Sequence, residues 1–450
     1  MSIINEDNFN RLAPLLIEKD ESLKKLKFTE AYKLVVNRLS GLKLGLVIDK
    51  KVADSIALQS AVINAVNTGK RAFMGGVFVS IEEDFASIIP GFQCVSIKAL
   101  ISQLGGVLDE NQECNSTLHF GCAVNNSQGF QVVCNGWQGG VLTEDTTVEI
   151  SQNPDFSLGG ILASSLGVGL SFLYSLGLKK TVFDKDHGLS LWRPDLNWLD
   201  KEAMGPKLQI LPKKMWLLGL GHLGQAYSWT LSMLPYPNSG SLINVQDFDV
   251  LVEANYSAGL LSNEDIVGQK KARVVSEFLE NRGFRSNIIE KPFDSNTVPA
   301  SDEPDILIGG LDKADVRRGV QVDKYHQYLD CGLGGSLGNF DSISLFNFPY
   351  CNKTPVQVWS SGDKLTHSIL KELESKEFNC GTLAEKAIST SFVGATASTL
   401  LISELLRLCH KGKIYGEIDL SIRDLSDRYV NMVGEYSNEI ANTGYLEVLN

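Results

Sequence analysis

Residues Leu217–Gly224 read LLGLGHLG, and Gly219, Gly221 and Gly224 form a Gly-x-Gly-x-x-Gly pattern. Such glycines permit a tight turn that lets a phosphate approach the backbone and aims a helix N-terminus at it. An acidic residue at the end of the next strand should hold a ribose hydroxyl. Asp247, in LINVQDFD, lies 23 residues after Gly224 and meets that requirement. The chemistry implied belongs to a nucleotide site, and two readings share it: hydride transfer on a dinucleotide, or reaction at the phosphates of ATP.

The elements that must position this turn are legible around it. The apolar segment Met215–Leu218 reads as a buried strand, and Gln225–Leu234 continues as a helix. Apolar strand segments alternate with helical ones along the chain: AFMGGVFVSI and LHFGCAVNN early, then LLGLG, LINVQDFD, DILIGGLD and YLDCGLGG. Alternation of this kind predicts an α/β fold with mostly parallel sheets covered by helices.

The chain also echoes itself. KLGLVIDKKVADSIAL, from Lys43, has the strand–turn–helix rhythm of KMWLLGLGHLGQAYSW from Lys214, but Asp49 and Lys50 stand where phosphate binding needs glycine. Cys134–Gly140 parallels Cys331–Gly335, and Gly160–Leu166 parallels Gly394–Leu400. Between the last two anchors the second copy holds about 39 extra residues, and Cys380 lies among them. The expected organisation is a degenerate, inactive half over 1–205 and an active half over 206–450. The second would carry a crossover segment at about 340–390.

With 450 residues and a net charge of −12, the chain has ample core material and is poorly suited to nucleic acid or an anionic membrane. MSIINEDNFNRL lacks the basic and apolar regions of a signal peptide, so a cytoplasmic location is expected. Phe156–Leu178 is uncharged apart from its flanks and long enough to span a bilayer, but its serines and glycines favour a buried helix. The eight cysteines, at 94, 114, 122, 134, 331, 351, 380 and 409, form no Cys-x-x-Cys pair. Neither a cysteine zinc site nor a disulfide framework is indicated.

From Asp247 the chain continues DFDVLVEANYSAGLLSNEDIVGQKKARVVSEFLE, and here it resembles the superfamily of ubiquitin-activating enzymes and of the ThiF- and MoeB-like sulfur-carrier adenylyltransferases. The family pattern is Asp-x-Asp, an Asn, Val-Gly-x-x-Lys opening a helix, and later Asp-Asn-x-x-x-Arg. The matching positions are Asp247 and Asp249, Asn255, Lys271, and Asp312 with Arg317. The resemblance implies two Rossmann-like adenylation halves and an ATP site in the second. There the amides of Leu220–Gly224 would cradle phosphates, Asp247 would bind the ribose and Asn255 would donate to the nucleotide. Lys271 would place a point charge on the phosphates, Asp312 would hold Mg²⁺, and Asp249 and Arg317 would complete the set.

KEFNCGTLAEKAISTSFVGATAS resembles the family's crossover segment, so Cys380 would take the activated carboxylate from AMP as a thioester. The implied activity is activation of a ubiquitin-like protein and its delivery to a conjugating enzyme, as in bacterial antiphage-type operons. The molecule would be a pseudo-dimeric monomer or a homodimer, and the inactive half could lend an arginine, Arg11, Arg38 or Arg71, to the ATP site.

Three departures stand out. Asn255-Tyr-Ser-Ala-Gly259 lacks the arginine and glutamine of the family's Asn-x-x-Arg-Gln, Lys313 replaces the Asn after the aspartate, and the paired zinc cysteines are missing. The rival readings are a sulfur-carrier adenylyltransferase, an NAD-dependent oxidoreductase that leaves Lys271, Asp312 and Cys380 unexplained, and a silent scaffold.

Overall fold

Two sheets repeat one topology. The computed structural model describes residues 12–124, 128–144, 146, 156–334, 339–360, 390–437 and 443–448. The first sheet contains β1 (Lys43–Ile48), β2 (Gly76–Ile81), β3 (Val107–Leu108), β4 (Ser116–Phe120), β5 (Gly129–Asn135), β6 (Gln138–Leu142) and β7 (His187–Ser190), in the order β3-β2-β1-β4-β5-β6-β7. The first five positions are parallel, and β6 and β7 add antiparallel.

The second sheet follows the same plan. After the short β8 (Ile210–Pro212) come β9 (Lys214–Leu218), β10 (Leu242–Gln246), β11 (Arg285–Ile289), β12 (Ile306–Gly309), β13 (Gln327–Leu333), β14 (Ser342–Phe348), β15 (Lys413–Ser421) and β16 (Asp424–Glu435), and then β17 (Tyr445–Glu447), which pairs with β8. The order is β11-β10-β9-β12-β13-β14-β15-β16, parallel through β13 and antiparallel beyond. Parallel strands are covered on both faces, which is why KMWLL and ILIG are apolar runs without alternation.

The echoes in the sequence fall on equivalent elements. Cys134 and Cys331 sit in β5 and β13, while Gly160 and Gly394 sit in helices that follow β6 and β14. Segment 340–390 therefore begins inside the sheet, since β14 is paired on both sides. Residues 361–389 of that segment, Cys380 included, lie outside the described residues.

Between the sheets pack helices α1 (Ile56–Ala72) and α2 (Leu158–Ser175) from the first half. They meet α3 (His222–Leu231) and, later in the chain, the helix Ser391–Cys409 from the second. Small residues bring the backbones of α1 and α2 together: a Cβ on Gly160 would lie 2.0 Å from the carbonyl oxygen of Ala57. Polar side chains cross the seam in pairs, with Asn64 accepting from Trp229 Nε1 at 3.1 Å and Ser157 donating to Met233 O at 2.7 Å. Helix α2 is long and apolar enough to cross a membrane, as is Ser391–Cys409, but they are 89% and 100% buried within the protein. The uncharged Phe156–Leu178 stretch is thus an interior helix, as its serines and glycines suggested.

Candidate nucleotide-binding site

The order of the second sheet reverses between β9 and β12, and ligands of open α/β sheets bind at the carboxyl ends of strands at such a point. There β9 ends at Leu218 and the glycine turn leads into α3. Gly219 adopts φ +83°, and a Cβ on it would come within 2.8 Å of the Gly310 backbone. At Gly224 a Cβ would meet Gly219 O at 2.2 Å, so these two glycines serve the turn's own packing. Gly221 is different: a Cβ there would meet nothing within 4 Å, and the backbone is open to an approaching ligand.

A cavity of about 400 Å³ opens over this turn, within the usual range for small-molecule sites of roughly 300–1,000 Å³. Gly219, Gly221, Asp247, Asp249, Asn255, Lys271, Asp312 and Arg317 all line it, and Gly224 lies beneath Gly219. Residues spread over about a hundred positions of sequence are thus brought to one concave surface.

Asp247 is largely buried and fastens the turn. Its Oδ2 accepts from the Leu220 amide at 2.7 Å and its Oδ1 from the Asp249 amide at 2.8 Å. This corrects the expected phosphate cradle, because the Leu220 N–H is spent on Asp247. Asn255 accepts at Oδ1 from the Val252 amide at 2.9 Å, which makes its NH₂ the donating end.

Lys271 opens α4 (Lys271–Glu280), and its Nζ lies 3.2 Å from Asp249 Oδ2. Lys270 turns away and donates to Phe248 O at 2.6 Å, so Lys271 is the lysine of the pair that reaches the cavity. Asp312 is exposed in the loop after β12. Arg317, in α5 (Ala314–Arg318), lies 3.3 Å from fully buried Asp330 and donates to Cys331 O at 3.0 Å. Burial raises the Asp330 carboxyl and the arginine opposes that rise, so Arg317 is held in a structural pair while it lines the cavity.

Two lysines complete the lining. Lys313 replaces the family's Asn, whereas Lys291, after β11, belongs to no motif of the sequence. Its place at the carboxyl end of a parallel strand was the available signal. Among the described residues neither Nζ takes part in a hydrogen bond or ion pair. No three His, Cys, Asp or Glu side chains cluster as a metal site among the described residues. A lone carboxylate such as Asp312 nevertheless suits Mg²⁺, which is commonly held by one or two carboxylates and substrate phosphates.

The loop after Asn255 accounts for the missing Arg-Gln pair. Ala258 is buried, and a Cβ on Gly259 would press on Gln225 Oε1, Ser262 Oγ and Asn255 O at 2.6–2.8 Å. Of the arginines considered as donors from the first half, Arg38 donates to Ser175 O in its own half and Arg11 lies outside the described residues. Arg71 does cross, but to the carbonyls of Tyr256, Leu260 and Ser262 and not to the cavity. In the first half Asp49 caps a short 3₁₀ helix, Lys50–Asp54, in place of an open turn. Burial pushes the thiols of Cys114, Cys122, Cys331, Cys351 and Cys409 up, which makes them poor nucleophiles.

Comparison with known proteins places the chain among relatives. The model of the BilD N-terminal domain matches residues 43–191 and that of the BilD C-terminal domain matches 211–412. The bacterial E1-like protein BilD of Collimonas sp. (strain OK412) is 30% identical over 412 residues, 88% of this chain and 89% of that protein. Among solved structures, E. coli MccB with ATP is 16% identical with a TM-score of 0.36, over 70% of this chain and 97% of that one. E. coli tRNA N6-threonylcarbamoyladenosine dehydratase TcdA is 16% identical with a TM-score of 0.30, over 43% and 84%.

Proposed function

Given that the chain belongs to the family of bacterial E1-like BilD proteins, we propose that it adenylates the C-terminal carboxylate of a ubiquitin-like protein. A carboxylate oxygen attacks the α-phosphorus of ATP, a P–O bond forms, the bond to the bridging oxygen breaks, and pyrophosphate leaves. The observation that carries this reading is the open backbone at Gly221 in one cavity with Lys271 and Asp312.

Each residue has a task in that reaction. Asp247 holds the turn and offers its remaining lone pairs to the ribose, and Asn255 donates to the nucleotide. Lys271, kept upright by Asp249, meets the phosphates as a point charge. Mg²⁺, held by Asp312 and the phosphates, would neutralise the charge that gathers on the leaving pyrophosphate. Positioning and electrostatics supply most of the rate in such a reaction. The Cys380 thiolate then attacks the acyl carbon, AMP leaves, and the thioester passes the modifier to a conjugating-enzyme cysteine. We place this activity in the bacterial cytoplasm, in antiphage defence.

Isotope exchange between pyrophosphate and ATP tests the reading. Purified protein with Mg²⁺ and its ubiquitin-like partner should show carrier-dependent exchange, and Lys271→Ala or Asp312→Ala should lower it about 100-fold. Unchanged exchange in both variants would overturn the site assignment.

A further inference from the structure

The cavity is short of uncommitted positive charge. Three carboxylates line it, Asp247, Asp249 and Asp312, against Lys271, Lys291, Lys313 and Arg317. Lys271 is paired with Asp249, and Arg317 is occupied by Asp330 and the Cys331 carbonyl. The loop 255–262, NYSAGLLS, carries no cation, and its position 259 has no room for a side chain. A nucleoside triphosphate brings several negative charges to this surface, so balance requires a cation that protein groups have not already claimed.

Position along the sheet separates the two free lysines. The carboxyl ends run in the order β11, β10, β9, β12. Lys291 therefore lies beyond Asp247, on the ribose side, and Gln246 Nε2 donates to its carbonyl at 3.1 Å. Lys313 lies on the opposite side, after the loop whose Gly310 amide donates to Leu218 O at 2.7 Å and packs on the glycine turn. It is also adjacent in sequence to Asp312, the carboxylate assigned to Mg²⁺ and hence to the departing phosphates.

We infer that Lys313 is the cation that neutralises the leaving phosphates of a bound nucleoside triphosphate, supplying charge that the 255–262 loop does not carry. The inference rests on the nucleotide reading above. Lys313 is exposed, so its removal leaves the packing intact.

Titrating the full chain with ATP and with AMP, at fixed Mg²⁺, tests it. Lys313→Ala should weaken ATP about 10-fold and change AMP less than 2-fold, as expected for loss of a charge-assisted contact to phosphates that AMP lacks. Lys313→Arg should recover most of the ATP affinity. Equal losses for ATP and AMP, no loss for ATP, or a selective ATP loss in Lys291→Ala instead would overturn the assignment. Wild-type protein that binds neither nucleotide would overturn the nucleotide reading itself, and with it the role of Lys313.

Discussion

Arg71 Nη1 of the first half donates to the carbonyl oxygen of Tyr256 in the second at 2.9 Å. Its Nη2 reaches Leu260 O at 3.3 Å and Ser262 O at 3.0 Å, and Asn67, one helical turn earlier, adds a bond to Leu260 O at 3.0 Å. Burial lowers the Arg71 pKa to about 10, which still leaves a cation at neutral pH. The half without an open glycine turn thus braces the loop that follows Asn255, and does so from behind the cavity.

Arg71→Ala should cost about 3 kcal/mol or more in urea unfolding, because buried carbonyls lose their donors. Arg71→Lys should restore only part of it, since an ammonium cannot reproduce the planar fork. ATP affinity, measured where the variant remains folded, should fall several-fold. Unchanged affinity would separate the brace from the nucleotide site.

The glycines of the turn should divide by role. Gly219→Ala places a side chain at positive φ against Gly310 and should cost about 1–3 kcal/mol in thermal or urea unfolding. Gly221→Ala has open space around it, and stability should change by about 1 kcal/mol or less while ATP binding weakens about 10-fold. A reversed pattern would show that Gly221 does not face the ligand.

Cys380→Ala should abolish the thiol-sensitive adduct with the ubiquitin-like partner and leave pyrophosphate exchange in place. The adduct is read on non-reducing gels, with and without thiol. Its persistence in the variant would remove Cys380 from the relay.

Lys70 should impose an alkaline rise in stability. Burial, and then the charge of Arg71, lowers its pKa from 10.5 to about 7. Between those values the unfolded chain holds a proton that the folded chain has released. Unfolding therefore takes up a proton and becomes harder as pH rises. The wild-type urea midpoint should climb from pH 7 to pH 10 relative to that of Lys70→Met, which removes the titrating group. Parallel curves for the two proteins would exclude the effect.

Much of this arrangement was legible because it rests on local rules. Glycines at 219, 221 and 224, a carboxylate after the next strand, and apolar runs of strand length each carry their own physical reason, and β9, β10, β12 and β13 follow from them. The doubling was legible in three faint echoes because equivalent strands and helices meet the same packing demands.

What stayed hidden depends on contacts distant in sequence. The crossing of Arg71 to Tyr256 spans 185 positions, and nothing in NTGKRAF distinguishes it from a surface arginine. Lys291 reaches the cavity only because β11 lies beside β10. The Leu220 amide looked available for a phosphate, and only the fold reveals that Asp247 has claimed it.

The close packing of Gly160 on Ala57 carries a consequence for how the chain can change. Gly160 and Ala57 belong to α2 and α1 of the same half, and a Cβ at Gly160 would lie 2.0 Å from a backbone oxygen, so the first half admits no extra methylene where its own two helices cross. Substitution is therefore constrained at that crossing, whereas exposed Lys50, just after β1, has room to vary. That rigidity makes the first half a mould for the second, which it grips through Asn64, Ser157 and Arg71.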